Sequence, residues 1–371
     1  MFHSLGLEAA AAPEAEIQRA PAAARPGPPC LPDTPSLLCS PELSRPQDRD
    51  SAAERSPVPC PEQPEHWGQA GACTLFAGGH EDPVQLAMLI LSCSSKLQLL
   101  EGVLRQGLPK TLPVHGSIMN INRGNPSSYE VLVDSWPDFK AVLVRPRKEV
   151  VTDNSDVFTN MHAAFYRDLG AYRALLDSPG AINWGHTIYI IGLQDGLYEA
   201  SRDVAKAKGV QVNWQCYFTF FHPDPSTMPD IRLDPTMKLS SLNASHVDLL
   251  NATWAYGGNE QSRQYLARLI RSFPSTCLLD ATGCPISWNI TDQFGTTGHG
   301  YTLPKYRSHG YNSIVAIVTA KRLHAQGYPS FGYTSLDNYP MQRLQVSHGF
   351  RLLPSLSYFI NHHPTPRTVP S

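Results

Sequence analysis

The sequence predicts an α+β chain in which mixed, largely antiparallel sheets with flanking helices form two similar halves behind a disordered N-terminal tail. Three observations carry this. Composition changes near residue 87: residues 1–87 hold 14 of the 33 prolines and show no apolar period. From Met88 onward, short apolar runs bounded by Gly, Pro, Asn and Asp alternate with longer runs at helical spacing. The order of those runs in the second half repeats the first in outline. A chain of 371 residues leaves room for such a tail and two domains of ordinary size. The divisions expected are a Pro/Ala-rich extension at 1–87, a first domain at 88–221, a linker at 222–240, a second domain at 241–361 and a tail at 362–371.

The apolar pattern starts at Met88, and Ser94 or Ser95 caps a helix running to Gln106. Strands follow at 114–122, 129–135 and 141–145, with turns at Gly124-Asn-Pro126 and Trp136-Pro-Asp138. The spacing then predicts a helix over 160–176, a strand at 187–191, a helix over 194–206 and a strand at 210–220. Pro223, Pro225, Pro229 and Pro235 mark the linker. In the second half, helices are expected over 245–254 and from Asn259, where Tyr265, Leu266, Leu269 and Ile270 share a face. Strands at 276–280, 286–291 and 296–302 come next. A helix over 311–326 stops at Gly327, with Pro329 beyond. A strand at 330–334, a helix over 341–348 and a last strand opening at Gly349-Phe350 complete the chain. Trp136, Phe139, Trp184, Trp214, Phe218 and Phe220 are read as core, with a share in a pocket between the halves as the alternative.

The most informative stretch is Gly300-Tyr-Thr-Leu-Pro-Lys-Tyr-Arg-Ser-His-Gly-Tyr-Asn312. It reads as a strand, a loop with Arg307-x-x-Gly310, and the first turn of an apolar helix. A helix start offers N–H groups without partners and the positive end of the dipole, so it suits a pyrophosphate. Gly310 permits close backbone approach and Arg307 adds a cation. A surface turn that merely caps a helix is the plainer alternative.

With these residues in place, the second half resembles the GNAT acyltransferase superfamily. That superfamily's loop has the form Arg/Gln-x-x-Gly-x-Gly/Ala, and here it reads Arg307-Ser-His-Gly310-Tyr-Asn312, departing at the last position. A later signature appears as Asn338-Tyr-Pro-Met341-Gln-Arg-Leu344 leading to Gly349-Phe350. Within the superfamily the chain resembles the glycine N-acyltransferase-like family, through Asn120-Ile-Asn-Arg-Gly-Asn-Pro126, Asp134-Ser-Trp-Pro-Asp-Phe139, Gly257-Gly-Asn-Glu-Gln261 and Ser287-Trp-Asn-Ile-Thr-Asp-Gln293. The resemblance implies tandem GNAT-type folds over 88–350, with coenzyme A held by the second alone. It implies acyl-CoA as co-substrate, glycine or another small amine as acceptor, no metal and a monomer. A mitochondrial location is implied, with the cytoplasm as alternative.

Acyl transfer from a thioester to an amine sets three tasks: anchoring the co-substrate, stabilising the oxyanion and deprotonating the amine. Arg307, His309, Gly310, Tyr311, Asn312 and Asn338 are the candidates for the first. Gly298 and Gly300 inside a strand mark a bulge or a close approach. The resemblance lays the thioester along that strand, with N–H groups near Tyr301, Thr302 and Leu303 facing its carbonyl. For the third task, the resemblance places a glutamate base just after the Asp292-Gln293 turn, and this chain has Thr296 there. Three substitutes present themselves: Asp292, a water held by Thr296 and Thr297, and His299, whose ordinary pKa suits the task; His299 is the candidate chosen, with a packed strand histidine as the plainer alternative. Arg263, Arg268 and Arg343 are candidates for the acceptor's carboxylate, though each also fits a solvated helix face.

A net charge of −2 gives no electrostatic footprint for nucleic acid. The eight cysteines contain no Cys-x-x-Cys pair, so a zinc site is not expected, and Cys277 and Cys284 are read as reduced thiols. Three Asn-x-Ser/Thr matches, at Asn243, Asn251 and Asn289, are read as chance. No apolar run reaches the length of a membrane span.

Overall fold

Met88 ends the Pro-rich stretch and opens the described part of this computed structural model, residues 88–364. The 1–87 extension, its four cysteines and residues 365–371 lie outside the described residues. Strand β1 is Leu89–Leu91, followed by helices α1 (Ser94–Gln106) and α2 (Leu112–Asn122). Next come β2 (Tyr129–Val133), β3 (Ala141–Pro146), β4 (Met161–Tyr166), α3 (Leu169–Asp177), β5 (Ile188–Gly192), α4 (Leu197–Ala207) and β6 (Val210–His222). The second half runs β7 (Lys238–Ser240), α5 (Val247–Thr253), α6 (Glu260–Ser272), β8 (Ser275–Leu279), β9 (Pro285–Thr291), β10 (Thr297–Thr302), α7 (Tyr311–Ala325), β11 (Ser330–Thr334), α8 (Tyr339–Ser347) and β12 (Arg351–Pro364). Strand, two helices, three-strand meander, helix, strand, helix, strand: the same order occurs twice, and the α+β expectation holds.

Two elements of the first half differ from expectation. The run 114–122 is not a strand but most of helix α2. Pro113 sits in its first turn, and eight consecutive residues from Leu112 to Met119 are buried, His115 and Ser117 among them, so burial on every side hid the helical period. The run 160–176 is not one helix. Met161–Tyr166 is a fully buried strand. The helix begins only after Asp168, whose carboxylate accepts from Ala171 N at 2.7 Å as an N-cap. At the far end, β12 continues through residues 362–364, where a tail was expected. Strand β7 and a short turn of helix at Pro225–Thr227 occupy part of 222–240.

One sheet has eight strands in the order β1-β2-β3-β4-β5-β12-β6-β11, and another has four in the order β10-β9-β8-β7. All pairs are antiparallel except β4–β5, which is parallel. The last strands of the two halves are reciprocally exchanged: β12 pairs with β5 of the first half, and β6 pairs with β11 of the second. The two exchanged strands also pair with each other, from Arg351 opposite Phe221 to Pro364 opposite Val210. The largest apolar core draws on both halves, with Leu100, Val131 and Phe139 from one and Leu266, Trp288, Phe294 and Phe331 from the other. Gly116 on α2 abuts the Phe294 backbone so closely that a Cβ there would lie 2.0 Å from the Phe294 carbonyl oxygen. The α2 seat therefore requires glycine at that point.

Candidate functional site

The internal repeat gives each half a fourth and a fifth strand, and the two halves treat that pair differently. In the first half β4 and β5 are joined, from Met161 opposite Tyr189 to Ala163 opposite Ile191. Where they diverge, Gln194 fills the gap, accepting from Tyr166 N at 2.7 Å and donating to Tyr166 O. In the second half the equivalent strands, β10 and β11, are edges of separate sheets with no pairing between them. A recess lies there, bordered by Gly298 and Gly300 on β10, Ser330 and Gly332 on β11, Ala316 on α7 and Leu344 on α8.

The opening has a local cause. The β9–β10 register shifts between Gly298 and Tyr301, so one extra residue bulges from β10. That residue is His299, at φ 53°, a left-handed conformation uncommon for a residue with a side chain. Gly300 beside it has no room for a side chain, since a Cβ would lie 2.4 Å from Asn289 Oδ1. The bulge expected from the two glycines is present.

At one end of the recess, a surface cleft is lined by Tyr301, Thr302, Arg307, Ser308, Gly310, Tyr311, Asn312 and Asn338. Ser308 and Gly310 are both left-handed, at φ 64° and 77°, and turn the chain into α7 with Gly310 as N-cap. The first N–H groups of α7 therefore face the cleft without intrahelical partners. Arg307 lies over the Tyr301 ring at 5.4 Å and donates from Nε to Thr302 O at 3.2 Å. His309 stacks on Tyr311 with centroids 5.5 Å apart. Asn338 caps α8, accepting from Met341 N at 3.3 Å. Of the residues considered for this end, Leu303 turns away: its N–H is given to Ile286 O at 2.9 Å and its side chain packs on the core.

At the other end the recess is lined by Thr297, Gly298 and Tyr333, and Asp292, Thr296 and His299 adjoin these residues without lining it. Asp292 Oδ1 accepts from Phe294 N and Thr296 N, each at 2.9 Å, which closes the β9–β10 turn. An edge of Asp292 remains open, yet burial of the carboxyl pushes its pKa up to about 6. Thr296 is 3% exposed, and its side chain faces both the Asp292 carboxyl and the Tyr333 hydroxyl. His299 is drawn inward by the bulge, against Trp254 at 4.9 Å and Tyr265 at 5.8 Å. Burial lowers its pKa to about 3, so its ring stays neutral and binds a proton weakly.

Beyond His299 lies an apolar pocket formed by Val157, Phe158, Met161, Tyr189, Trp254, Tyr256 and Tyr265. Phe158 stacks on Tyr265 at 4.9 Å. None of the six aromatic residues singled out in the sequence lines it. Its members come from the β3–β4 loop, β4, β5, the α5–α6 loop and α6, and no local pattern links them. Among the arginines, Arg263 pairs with Asp248 at 2.7 Å and Arg343 is exposed on α8. Arg268 lies over the Tyr265 ring at 5.8 Å. Cys277 stands opposite Trp288 rather than Cys284, and no disulfide joins the two. Among the described residues, no cluster of three or more His, Cys, Asp or Glu could hold a metal, and no helix is long and apolar enough to cross a membrane.

Comparison with known proteins matches this layout along almost all of the described chain. A family model described as aralkyl acyl-CoA:amino acid N-acyltransferase matches residues 88–274, and its C-terminal-region counterpart matches 276–360. A glycine N-phenylacetyltransferase of Bos taurus is 35% identical over 269 residues, covering 68% of this chain and 90% of that protein. A glycine N-acyltransferase of Homo sapiens is 33% identical over 298 residues, covering 76% of this chain and 97% of that protein. A solved Drosophila structure shares the fold, with a TM-score of 0.61 at 15% identity over 75% of this chain and 98% of that one.

Proposed function

The chain belongs to the aralkyl acyl-CoA:amino acid N-acyltransferase family, and from that premise we propose that it transfers an acyl group from coenzyme A to the amino group of glycine. The observation that carries this reading is the contrast between the two halves: β4–β5 is paired and plugged, while β10–β11 stands open with a phosphate-suited loop at its mouth. The pyrophosphate rests on the α7 start beside Arg307. The arm lies along β10 and the thioester reaches the Thr296–Tyr333 end. The acyl group enters the pocket of Phe158, Trp254, Tyr256 and Tyr265, whose apolar walls suit an aromatic or branched acyl chain. Arg268 supplies the cation for the acceptor's carboxylate.

In the reaction the amine nitrogen attacks the thioester carbonyl, the C–N bond forms, the C–S bond breaks and coenzyme A leaves as the thiolate. No covalent enzyme intermediate is needed. The amine's proton passes to Asp292, helped by the Thr296 and Tyr333 hydroxyls. A carboxyl titrating near 6 is ionised at neutral pH and still a fair acceptor, whereas a buried imidazole near 3 is a poor one.

One observation favours a second reading. Thr296 occupies the place where the resemblance puts a glutamate base, and a hydroxyl is a far weaker one. On that reading the chain binds acyl-CoA but turns it over slowly or not at all. Both readings meet one experiment: binding and thiol release measured over a panel of acyl-CoAs with glycine. Turnover supports transfer. Binding without turnover on any chain length leaves the second reading, and no binding overturns both.

A further inference from the structure

Asn312 stands where the GNAT loop pattern has a small residue, at the second position of α7. Its side-chain Oδ1 is buried and has no hydrogen-bond partner. A carbonyl oxygen in that state costs free energy unless a donor reaches it, so it calls for a water or a bound group. The location narrows the donor. Asn312 borders both the surface cleft beside Arg307 and the inner recess between β10 and β11. Anything running from the phosphate end to the Thr296 end passes it. Across the passage stands Gly300, where a Cβ would lie 3.8 Å from Asn312 Oδ1 and 2.4 Å from Asn289 Oδ1. Asn289 therefore covers β10 at this point and no chain passes between strand and asparagine, so an extended chain meets Asn312 from the cleft side.

Resting on the acyl-CoA reading above, we propose that Asn312 Oδ1 accepts the N–H of a secondary amide in the pantetheine arm of coenzyme A. The arm carries two such amides between pyrophosphate and sulfur, so a single acceptor at the join of cleft and recess fixes how far the arm extends and where the sulfur stops. The residue thereby acts on the arm and not on the phosphates.

The test compares two ligands by calorimetry on the full-length protein: coenzyme A, and adenosine 3′-phosphate 5′-diphosphate, which keeps the pyrophosphate and lacks the arm. For Asn312→Ala the expected result is about tenfold weaker coenzyme A binding, the scale of one buried hydrogen bond, with binding of the armless nucleotide unchanged. Retained binding of that nucleotide also shows that the variant is folded. Equal weakening of both ligands, or no weakening of either, overturns the proposal. If the unaltered protein binds coenzyme A to no measurable extent, the functional reading itself fails and this one with it.

Discussion

Asp292 holds two backbone N–H groups with one oxygen while its pKa is raised from 3.8 to about 6. Asparagine at this position keeps an acceptor for the turn and removes the charge. Asp292→Asn should therefore lower kcat by about a hundredfold, within the usual range for a proton acceptor. It should also erase the rise in rate between pH 5 and 7, read from a pH–rate profile. Stability should move the opposite way. A carboxyl whose pKa rises on folding favours the folded state at low pH, and that contribution is lost as pH rises from 3.8 through about 6. Urea unfolding should accordingly show Asp292→Asn gaining stability over the parent at pH 8 and little or none at pH 4. Thr296→Glu restores a carboxylate at the neighbouring position and should speed thiol release. An unchanged rate would show that the turn does not align as the resemblance implies.

Two elements shape the phosphate end, and each rests on one glycine. Gly310 takes φ 77° and has nothing within 4 Å of the place a Cβ would occupy, so Gly310→Ala costs strain without collision, about 1 kcal/mol. Gly300→Ala instead pushes a methyl into Asn289. The expected ordering in coenzyme A affinity, by calorimetry, is a few-fold loss for Gly310→Ala and a larger loss for Gly300→Ala. The second half was legible as elements because its strands are short and bounded by Ala281-Thr-Gly283 and Asp292-Gln-Phe-Gly295, and its α7 has clear stop signals. Helix α2 and strand β4 were not, because burial on all faces erases the period that separates helix from strand. The phosphate loop could be read from consecutive residues. The acyl pocket could not, since Phe158 and Trp254 meet only through tertiary packing. The inward turn of His299 follows from a bulge that Gly298 and Gly300 announced without saying which way the ring would face.

Across the whole molecule, the reciprocal exchange of β6 and β12 makes each half incomplete alone. A fragment ending at residue 236 leaves β5 and β6 without β12, and a fragment starting at 237 leaves β11 without β6. Expressed singly, both should be aggregation-prone, as long unpaired strand edges are. Expressed together, they should assemble into a soluble complex, detectable by size-exclusion chromatography with coenzyme A binding restored. Two fragments that are each soluble and cooperatively folded would contradict this. The intact chain should unfold over residues 88–364 in one transition by both fluorescence and circular dichroism.

The position of β12 also bears on synthesis. The ribosome delivers the first half complete to Val210–His222 long before Arg351–Pro364 emerges. Until the 14 residues of β12 appear, the facing edges of β5 and β6 have no strand between them. The nascent chain thus carries an exposed β5 edge through the making of some 150 further residues, a span in which chaperone shielding matters most. A premature stop anywhere before residue 351 would then damage the half already made, although its own sequence is untouched.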